Sequence, residues 1–226
     1  MSIAQNIEEF RKELPAGVTL LAVSKTKPLE DLEEAYKVGI RDFGENKVQE
    51  LMSKEENFHK DVRWHFIGKL QTNKVKYLVS KVFLIHSLSS MKLLKQIEKE
   101  FGKHDQTASV LIEINIGMED SKSGIVPNEV DELIDEIEKC SHVKAMGIMV
   151  IIPKGTSESN KEYFKKTKNI FEKYKKNNYK NVTMEILSMG MTHDYSEAIE
   201  EGSTLVRIGT GIFGEREYNL GGNGNE

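Results

Sequence analysis

Residues 18–28 of the chain read VTLLAVSKTKP, and this stretch decides the fold. It is an apolar run of strand length that ends in a cation, Lys25, and then in Pro28. A segment with helical periodicity, Leu29–Lys37, follows at once. An apolar strand followed directly by an amphipathic helix is the first half of a βαβ unit, the unit from which parallel sheets are built.

The same alternation continues to the end of the chain. The predicted strands are Thr19–Ser24, Asp42–Gly44, Arg63–Ile67, Val82–His86, Val110–Ile116, Val143–Ile151, Thr183–Ser188 and Leu205–Ile208. Amphipathic segments between them include Leu29–Lys37, Met91–Phe101, Pro127–Lys139, Lys161–Lys176 and Tyr195–Glu201. Eight such units in 226 residues favour an α/β fold of the closed (β/α)8 TIM barrel type over an open doubly wound sheet. We expect a single barrel domain over residues 1–217 and a flexible, glycine-rich tail over residues 218–226.

Composition excludes several classes of protein. A net charge of −4 argues against a general nucleic-acid binder, and no apolar run approaches the roughly 20 residues that span a membrane. The first residues lack the basic and apolar regions of a secretory signal. Cys140 is the only cysteine, so we expect a packing role for it and a reducing, cytoplasmic location. The histidines lack metal-ligand spacing, and no metal site is predicted.

Lys25 is the first candidate for a functional residue. Period-two alternation puts Leu21, Val23 and Lys25 on one face of the first strand, so the lysine continues a row of apolar side chains. In a barrel, binding and catalytic groups collect at the carboxyl ends of the strands. Burial there lowers the pKa of a lysine and makes its neutral amine a nucleophile toward an aldehyde. The alternative is a solvated charge at a strand end.

Two glycine-bearing motifs close the seventh and eighth predicted strands, where barrels often bind phosphate. They are SMGMT at residues 188–192 and RIGTGIFG at residues 207–214. Backbone N–H groups, with the hydroxyls of Ser188 and Thr210, would supply the donors. The alternative is that these glycines only permit turns.

Arg207 lies in an otherwise apolar strand, so an inward guanidinium needs a partner. That partner is either a structural acid or a ligand's ring nitrogen or phosphate. A lysine amine, a phosphate cradle and an arginine between them describe pyridoxal 5'-phosphate.

At these residues the chain resembles the family of pyridoxal phosphate homeostasis proteins. The matching stretches are Ala22–Pro28, Phe43–Glu50, Trp64–Lys74, Glu119–Gly124, Leu187–Met191 and Val206–Gly214. The chain departs from the family pattern in three places: Lys69 replaces a histidine, Thr192-His193 replaces Ser-Ala, and the segment ahead of the first strand is short. The first two affect the rim of the site, and the third affects only how the bottom of the barrel is covered.

The resemblance implies a single barrel similar to the barrel domain of alanine racemase, of fold-type III. It implies that Lys25 is the Schiff-base residue and that Arg207 is the partner of the pyridine nitrogen. The remaining implied cofactor-binding residues are a polar neighbour and two phosphate-binding segments: Asn46, Ser188, Met189, Gly190, Gly209 and Thr210.

Family members bind the cofactor and help control its cellular supply, without an established catalytic reaction. The resemblance therefore implies reversible storage and delivery of pyridoxal phosphate by a monomer, with apo-enzymes as recipients and no catalytic residues. Two alternatives stay open: an amino-acid racemase-like enzyme, which needs a second acid/base group, and a Schiff-base aldolase. Aldolases usually carry the lysine on a later strand, which counts against the second.

Overall fold

Eight parallel strands close into a barrel in the computed structural model, which describes residues 1–215. Each strand pairs with the next in sequence, and the last pairs with the first, with Thr19 opposite Leu205 and Ala22 opposite Ile208. The predicted closed barrel is therefore confirmed. The strands are β1 Thr19–Val23, β2 Asp42–Glu45, β3 Arg63–Phe66, β4 Leu84–Leu88, β5 Ala108–Ile114, β6 Val143–Val150, β7 Val182–Met191 and β8 Leu205–Ile208.

Helices connect the strands and cover the outside of the barrel. They are α1 Ile3–Glu13, α2 Leu29–Lys37, α3 Val48–Asn57, α4 Met91–Gly102, α5 Val130–Ile137, α6 Ser157–Lys175, α7 Tyr195–Glu200 and α8 Thr210–Phe213. Short 3-10 helices, Thr72–Tyr77 and Pro127–Glu129, lie before β4 and α5. Within residues 1–215, none of the helices has the length and apolar character needed to cross a bilayer.

Alternation along the strands separates two layers of side chains. Leu20 and Ala22 of β1 belong to the large apolar cluster between the strands and the helices. Their neighbours Leu21 and Val23 face the barrel axis, because successive strand residues point to opposite faces. Inside the barrel lies a second and much smaller apolar cluster: Leu84, Leu111 and Met149, with Met146 and Ile186 against them.

Two residues further along several strands, the interior turns polar. His86 follows Leu84, Glu113 follows Leu111, and Ser188 and Arg207 take the corresponding places on β7 and β8; all four are buried. Barrel interiors are normally filled by branched apolar residues. A polar layer near the carboxyl ends is a departure from that rule, and such departures concentrate at functional sites.

Five strand ends differ from the predicted ones by two residues or more. β4 is Leu84–Leu88 rather than Val82–His86, and β5 is Ala108–Ile114 rather than Val110–Ile116. β7 continues to Met191, three residues past the predicted end at Ser188, so Ser188 lies within the strand. The predicted tail, residues 218–226, and the domain end at residue 217 lie outside the described residues.

Candidate functional site

A cleft of about 240 Å³ opens at the carboxyl ends of the strands. Five of the eight predicted cofactor-binding residues line it: Lys25, Asn46, Arg207, Gly209 and Thr210. They come from three different strand ends, β1, β2 and β8, and the barrel closure brings them together.

The other three predicted residues do not line this cleft. Ser188 and Met189 are fully buried inside the barrel wall. Gly190 has a φ of +95°, and an added Cβ would lie 2.7 Å from Ala198 Cβ and 2.9 Å from Tyr195 Cα. Close packing of β7 against α7 therefore explains this glycine without a ligand. The phosphate contacts assigned to these three residues stay predictions.

Thr192 is a cleft residue that the sequence assigned to a glycine-bearing motif but not to the cofactor contacts. It lines the cleft, and its Oγ1 accepts a hydrogen bond of 3.3 Å from the backbone N–H of Gly211. Because β7 runs to Met191, the first residue beyond the strand is Thr192 rather than one of residues 189–190. The hydroxyl in the second half of the SMGMT motif was the available signal.

Arg207 is 4% exposed, and its guanidinium is held by neutral acceptors. Nη1 donates to the Ser188 carbonyl at 2.9 Å and to Ser188 Oγ at 2.7 Å, while Nη2 donates to the Val150 carbonyl at 2.8 Å. Burial lowers the pKa of Arg207 to about 10, which leaves it charged at neutral pH. Within residues 1–215, its hydrogen-bond partners are neutral acceptors on β6 and β7, not the contacting acid that a structural ion pair would require.

A buried cluster beneath Lys25 fixes the end of β1. Lys54 of α3 donates three hydrogen bonds of 2.8 Å, to the Ser24 carbonyl and to one carboxylate oxygen each of Glu45 and Glu50. Ser24 Oγ in turn donates to the same oxygen of Glu45 at 2.6 Å. The Glu45 side chain is fully buried and that of Lys54 is 8% exposed. Ser24, the residue before Lys25, is therefore anchored through both its carbonyl and its hydroxyl.

The residue after Lys25 is anchored as well. Thr26 has a φ of +64°, a left-handed conformation that costs energy for a branched residue. Its backbone N–H donates to Glu50 Oε1 at 2.6 Å, which ties the loop to the Lys54 cluster. Beyond it, Lys27 Nζ donates to the Phe213 carbonyl at 2.8 Å and links the first loop to the last. Lys25 is thus presented between two fixed neighbours.

A chain of hydrogen bonds runs through the barrel interior from the opposite end. Asp42, the first residue of β2, accepts two bonds from Arg63, of 2.7 and 2.5 Å. His65 Nε2 lies 3.0 Å from Asp42 Oδ1, and His65 Nδ1 lies 2.9 Å from His86 Nε2. His86 Nδ1 lies 3.3 Å from Ser188 Oγ, the atom that Arg207 contacts. His65 lies in the interior and not in the cleft lining.

Glu113 of β5 is a buried carboxyl in the same polar layer. Among the described residues, its Oε2 has no hydrogen-bond partner. Burial raises the pKa of Glu113 to about 7, although the positive charges of Arg207 and Lys69 act in the opposite direction. Near neutral pH this group therefore exchanges a proton.

Glu113→Gln is expected to make the protein more stable at pH 8, by about 3 kcal/mol, and equally stable at about pH 4. Between the ordinary pKa of 4.5 and the folded-state pKa of about 7, the folded protein binds the proton more tightly than the unfolded chain. Wild-type stability from this group therefore falls as the pH rises through that window and is flat above it. Urea unfolding of both proteins across the window checks this, and parallel pH curves would contradict it.

Residues 1–215 contain no group of three or more His, Cys, Asp or Glu side chains arranged to hold a metal ion. Cys140 is a buried free thiol, in keeping with the packing role expected for it.

Comparisons with known proteins agree on one family and one fold. The family model for the alanine racemase N-terminal domain matches residues 1–217. A pyridoxal phosphate homeostasis protein of Aquifex aeolicus is 45% identical over 201 residues, which cover 88% of this chain and 87% of that protein. A protein of the same name from Escherichia coli is 35% identical over 230 residues, covering 96% of this chain and 97% of that protein.

Solved structures extend the comparison. PipY of Synechococcus elongatus with pyridoxal phosphate bound superposes with a TM-score of 0.86 at 31% identity, covering 94% of this chain and all of that one. Alanine racemase from E. faecalis superposes with a TM-score of 0.74 at 15% identity, over 95% of this chain and 58% of the racemase. The second likeness bears on the fold alone, and it confirms the predicted similarity to the racemase barrel.

Proposed function

Because this chain belongs to the family of pyridoxal phosphate homeostasis proteins, we propose that it binds pyridoxal 5'-phosphate reversibly in the cleft at the carboxyl ends of the strands. It takes up, protects and releases the cofactor without turning over a substrate. One observation carries the proposal: Lys25, Arg207 and the segment Gly209–Thr210 line one cleft. These residues supply an amine for the aldehyde, a cation, and a glycine-containing backbone segment that a phosphate group can approach.

The side chains of the cleft fit the cofactor. Asn46 Oδ1 is buried and, among the described residues, has no hydrogen-bond partner, so it is available to a donor on a ligand. A Cβ at position 209 would approach Val23 Cβ to 3.3 Å, so glycine lets the β8 backbone lie against β1 there without displacing Val23. Thr192 and Thr210 add hydroxyl groups to the cleft wall. These residues would hold the phosphate and the ring.

Lys25 is proposed as the covalent anchor. When bound, the cofactor supplies an aldehyde that a lysine amine joins covalently and reversibly. The anchored positions of Ser24 and Thr26 restrict where the Lys25 amine can reach. Such pre-orientation lowers the entropy that a flexible lysine would lose on joining the aldehyde.

Arg207 bears on the electronic state of a bound cofactor ring, in an arrangement that racemases also tolerate. A guanidinium that stays charged disfavours protonation of a ring nitrogen beside it, and an unprotonated ring is a weaker electron sink. The relatives in the same family also carry the name of a homeostasis protein rather than that of an enzyme. We propose further that the protein works as a monomer in the cytosol and passes its cofactor to apo-enzymes.

Titration of the purified protein with pyridoxal phosphate tests the proposal. We expect saturable uptake with a new absorbance band near the visible edge, and no conversion of L- or D-amino acids by the loaded protein in a chiral assay. A protein that takes up no cofactor contradicts binding. Amino-acid turnover that is lost in Lys25→Ala would instead identify the racemase-like alternative.

A further inference from the structure

The hydrogen-bonded chain inside the barrel has a direction that its two ends impose. At one end, the guanidinium of Arg207 can only donate, so Ser188 Oγ accepts its bond of 2.7 Å. At the other end, the carboxylate of Asp42 can only accept when it is ionised. Burial alone would raise the pKa of Asp42, but hydrogen bonds from His65 and Arg63 outweigh it and lower the pKa to about 2. Asp42 is therefore an acceptor at neutral pH.

These two ends determine the tautomer of each histidine. Since Asp42 accepts, His65 carries its proton on Nε2 and presents the lone pair of Nδ1 to His86. His86 then donates from Nε2, and its Nδ1 accepts the hydroxyl proton of Ser188. Burial lowers the pKa of both imidazoles, so each is neutral at neutral pH. Every donor in the chain points toward Asp42.

Burying the hydrogen-bonded side chains costs desolvation free energy, so their presence in the barrel interior needs a reason. His65, His86 and Ser188 are at most 2% exposed, in an interior that apolar side chains could fill. Replacing a buried polar network by well-packed apolar residues is often neutral or stabilising. What the chain adds is orientation, because a serine hydroxyl rotates freely unless its proton has a fixed acceptor.

We propose that Asp42, His65 and His86 are positioning residues of the cofactor site, which act through Ser188 to hold the Arg207 guanidinium in one orientation toward the cleft. With the hydroxyl proton held by His86, the lone pairs of Ser188 Oγ face Arg207. Hydrogen bonds aligned in one direction also polarise and strengthen one another. The inference rests on the proposed function, since it assigns Arg207 to the bound cofactor.

Two variants at the amino-terminal end of the barrel test whether the hydrogen-bonded chain positions Arg207 or only stabilises the fold. Asp42→Ala and Arg63→Gln both remove the ion pair between these residues, but only Asp42→Ala removes the acceptor of His65. In the cofactor-free protein, ¹⁵N NMR of the imidazoles should show both histidines as pure Nε2–H tautomers in the wild type and in Arg63→Gln. In Asp42→Ala we expect mixed tautomers at both. Affinity for pyridoxal phosphate should fall about ten-fold in Asp42→Ala, which is the usual effect of removing a hydrogen bond that supports a ligand-contacting residue. The affinity should be unchanged in Arg63→Gln.

Ser188→Ala supplies an independent test at the other end of the chain, with little change in volume. It should weaken cofactor affinity about as much as Asp42→Ala, and the double variant should be no weaker than Ser188→Ala alone, because the two residues act in series. Unaltered tautomers or unaltered affinity in Asp42→Ala would overturn the inference, as would additive losses in the double variant or an equal loss in Arg63→Gln. Wild-type protein that takes up no cofactor would instead overturn the proposed function, and the NMR result on the cofactor-free protein would still decide the direction of the chain.

Discussion

Lys25→Ala protein is expected to retain no covalently bound cofactor. After incubation with pyridoxal phosphate and reduction with borohydride, mass spectrometry of the wild type should find the pyridoxyl group on the peptide that contains Lys25. The variant should show only background labelling and no absorbance band near the visible edge. The physical reason is that the cleft offers Lys25 at the end of β1, between two neighbours whose positions are fixed by the Lys54 cluster.

Lys27→Arg is the matched control, because Lys27 lies in the same cleft two residues away. Arginine can still donate to the Phe213 carbonyl but offers no amine to an aldehyde. We expect this variant to be labelled as the wild type is. Labelling that persists in Lys25→Ala, or that disappears in Lys27→Arg, would show that the wrong lysine has been assigned.

Lys54→Met should lower the free energy of unfolding by about 3–5 kcal/mol, because removing one partner of a buried ion pair leaves an uncompensated charge. The charge left behind is that of Glu45, whose side chain is fully buried. The loss also frees the Ser24 carbonyl and the Glu50 carboxylate that holds Thr26. Urea unfolding measures the first effect, and a slower covalent uptake of cofactor should accompany it.

Two comparisons make this prediction specific. Lys173→Met removes an ion pair with Asp131 and should have little effect on stability, because the side chains of Lys173 and Asp131 are 56% and 67% exposed. The double variant Lys54→Met, Glu45→Gln should regain part of the loss, because the buried carboxylate is then neutral. Equal costs for Lys54→Met and Lys173→Met would mean that the cluster does not stabilise the end of β1.

The sequence predicted the barrel because its signal is local and repeated. Each strand is an apolar run followed by a helical period, and eight such units leave few other arrangements. The sequence also predicted that one cleft would bring together Lys25, Arg207 and Gly209, because strand ends that lie far apart in sequence meet at one end of a barrel. Thr192 was not among the predicted cofactor contacts because the end of β7 was placed three residues too early, and strand ends have weaker signals than strands.

The interior chain had no sequence signal of its own. His65 and His86 lie 21 residues apart on neighbouring strands, and their contact depends on the register between β3 and β4. Lys54 reads as an ordinary helical lysine four residues after Glu50, a spacing typical of exposed pairs. Its burial against Glu45 follows only from how α3 packs on the barrel. Buried polar contacts of this kind are tertiary, and a single sequence does not encode them in any short motif.

Lys27 and Phe213, whose contact joins the first loop to the last beside the cleft, are 186 positions apart in the chain. Part of the cleft wall is accordingly built from the first and last strands, at the seam where the barrel closes. While the protein is being synthesised, Lys25 leaves the ribosome long before Arg207, and no nascent or truncated chain lacking β8 possesses the complete cleft. A ligand that binds only the closed barrel favours the finished protein by mass action. A larger supply of cofactor would therefore raise the proportion of chains that complete their folding.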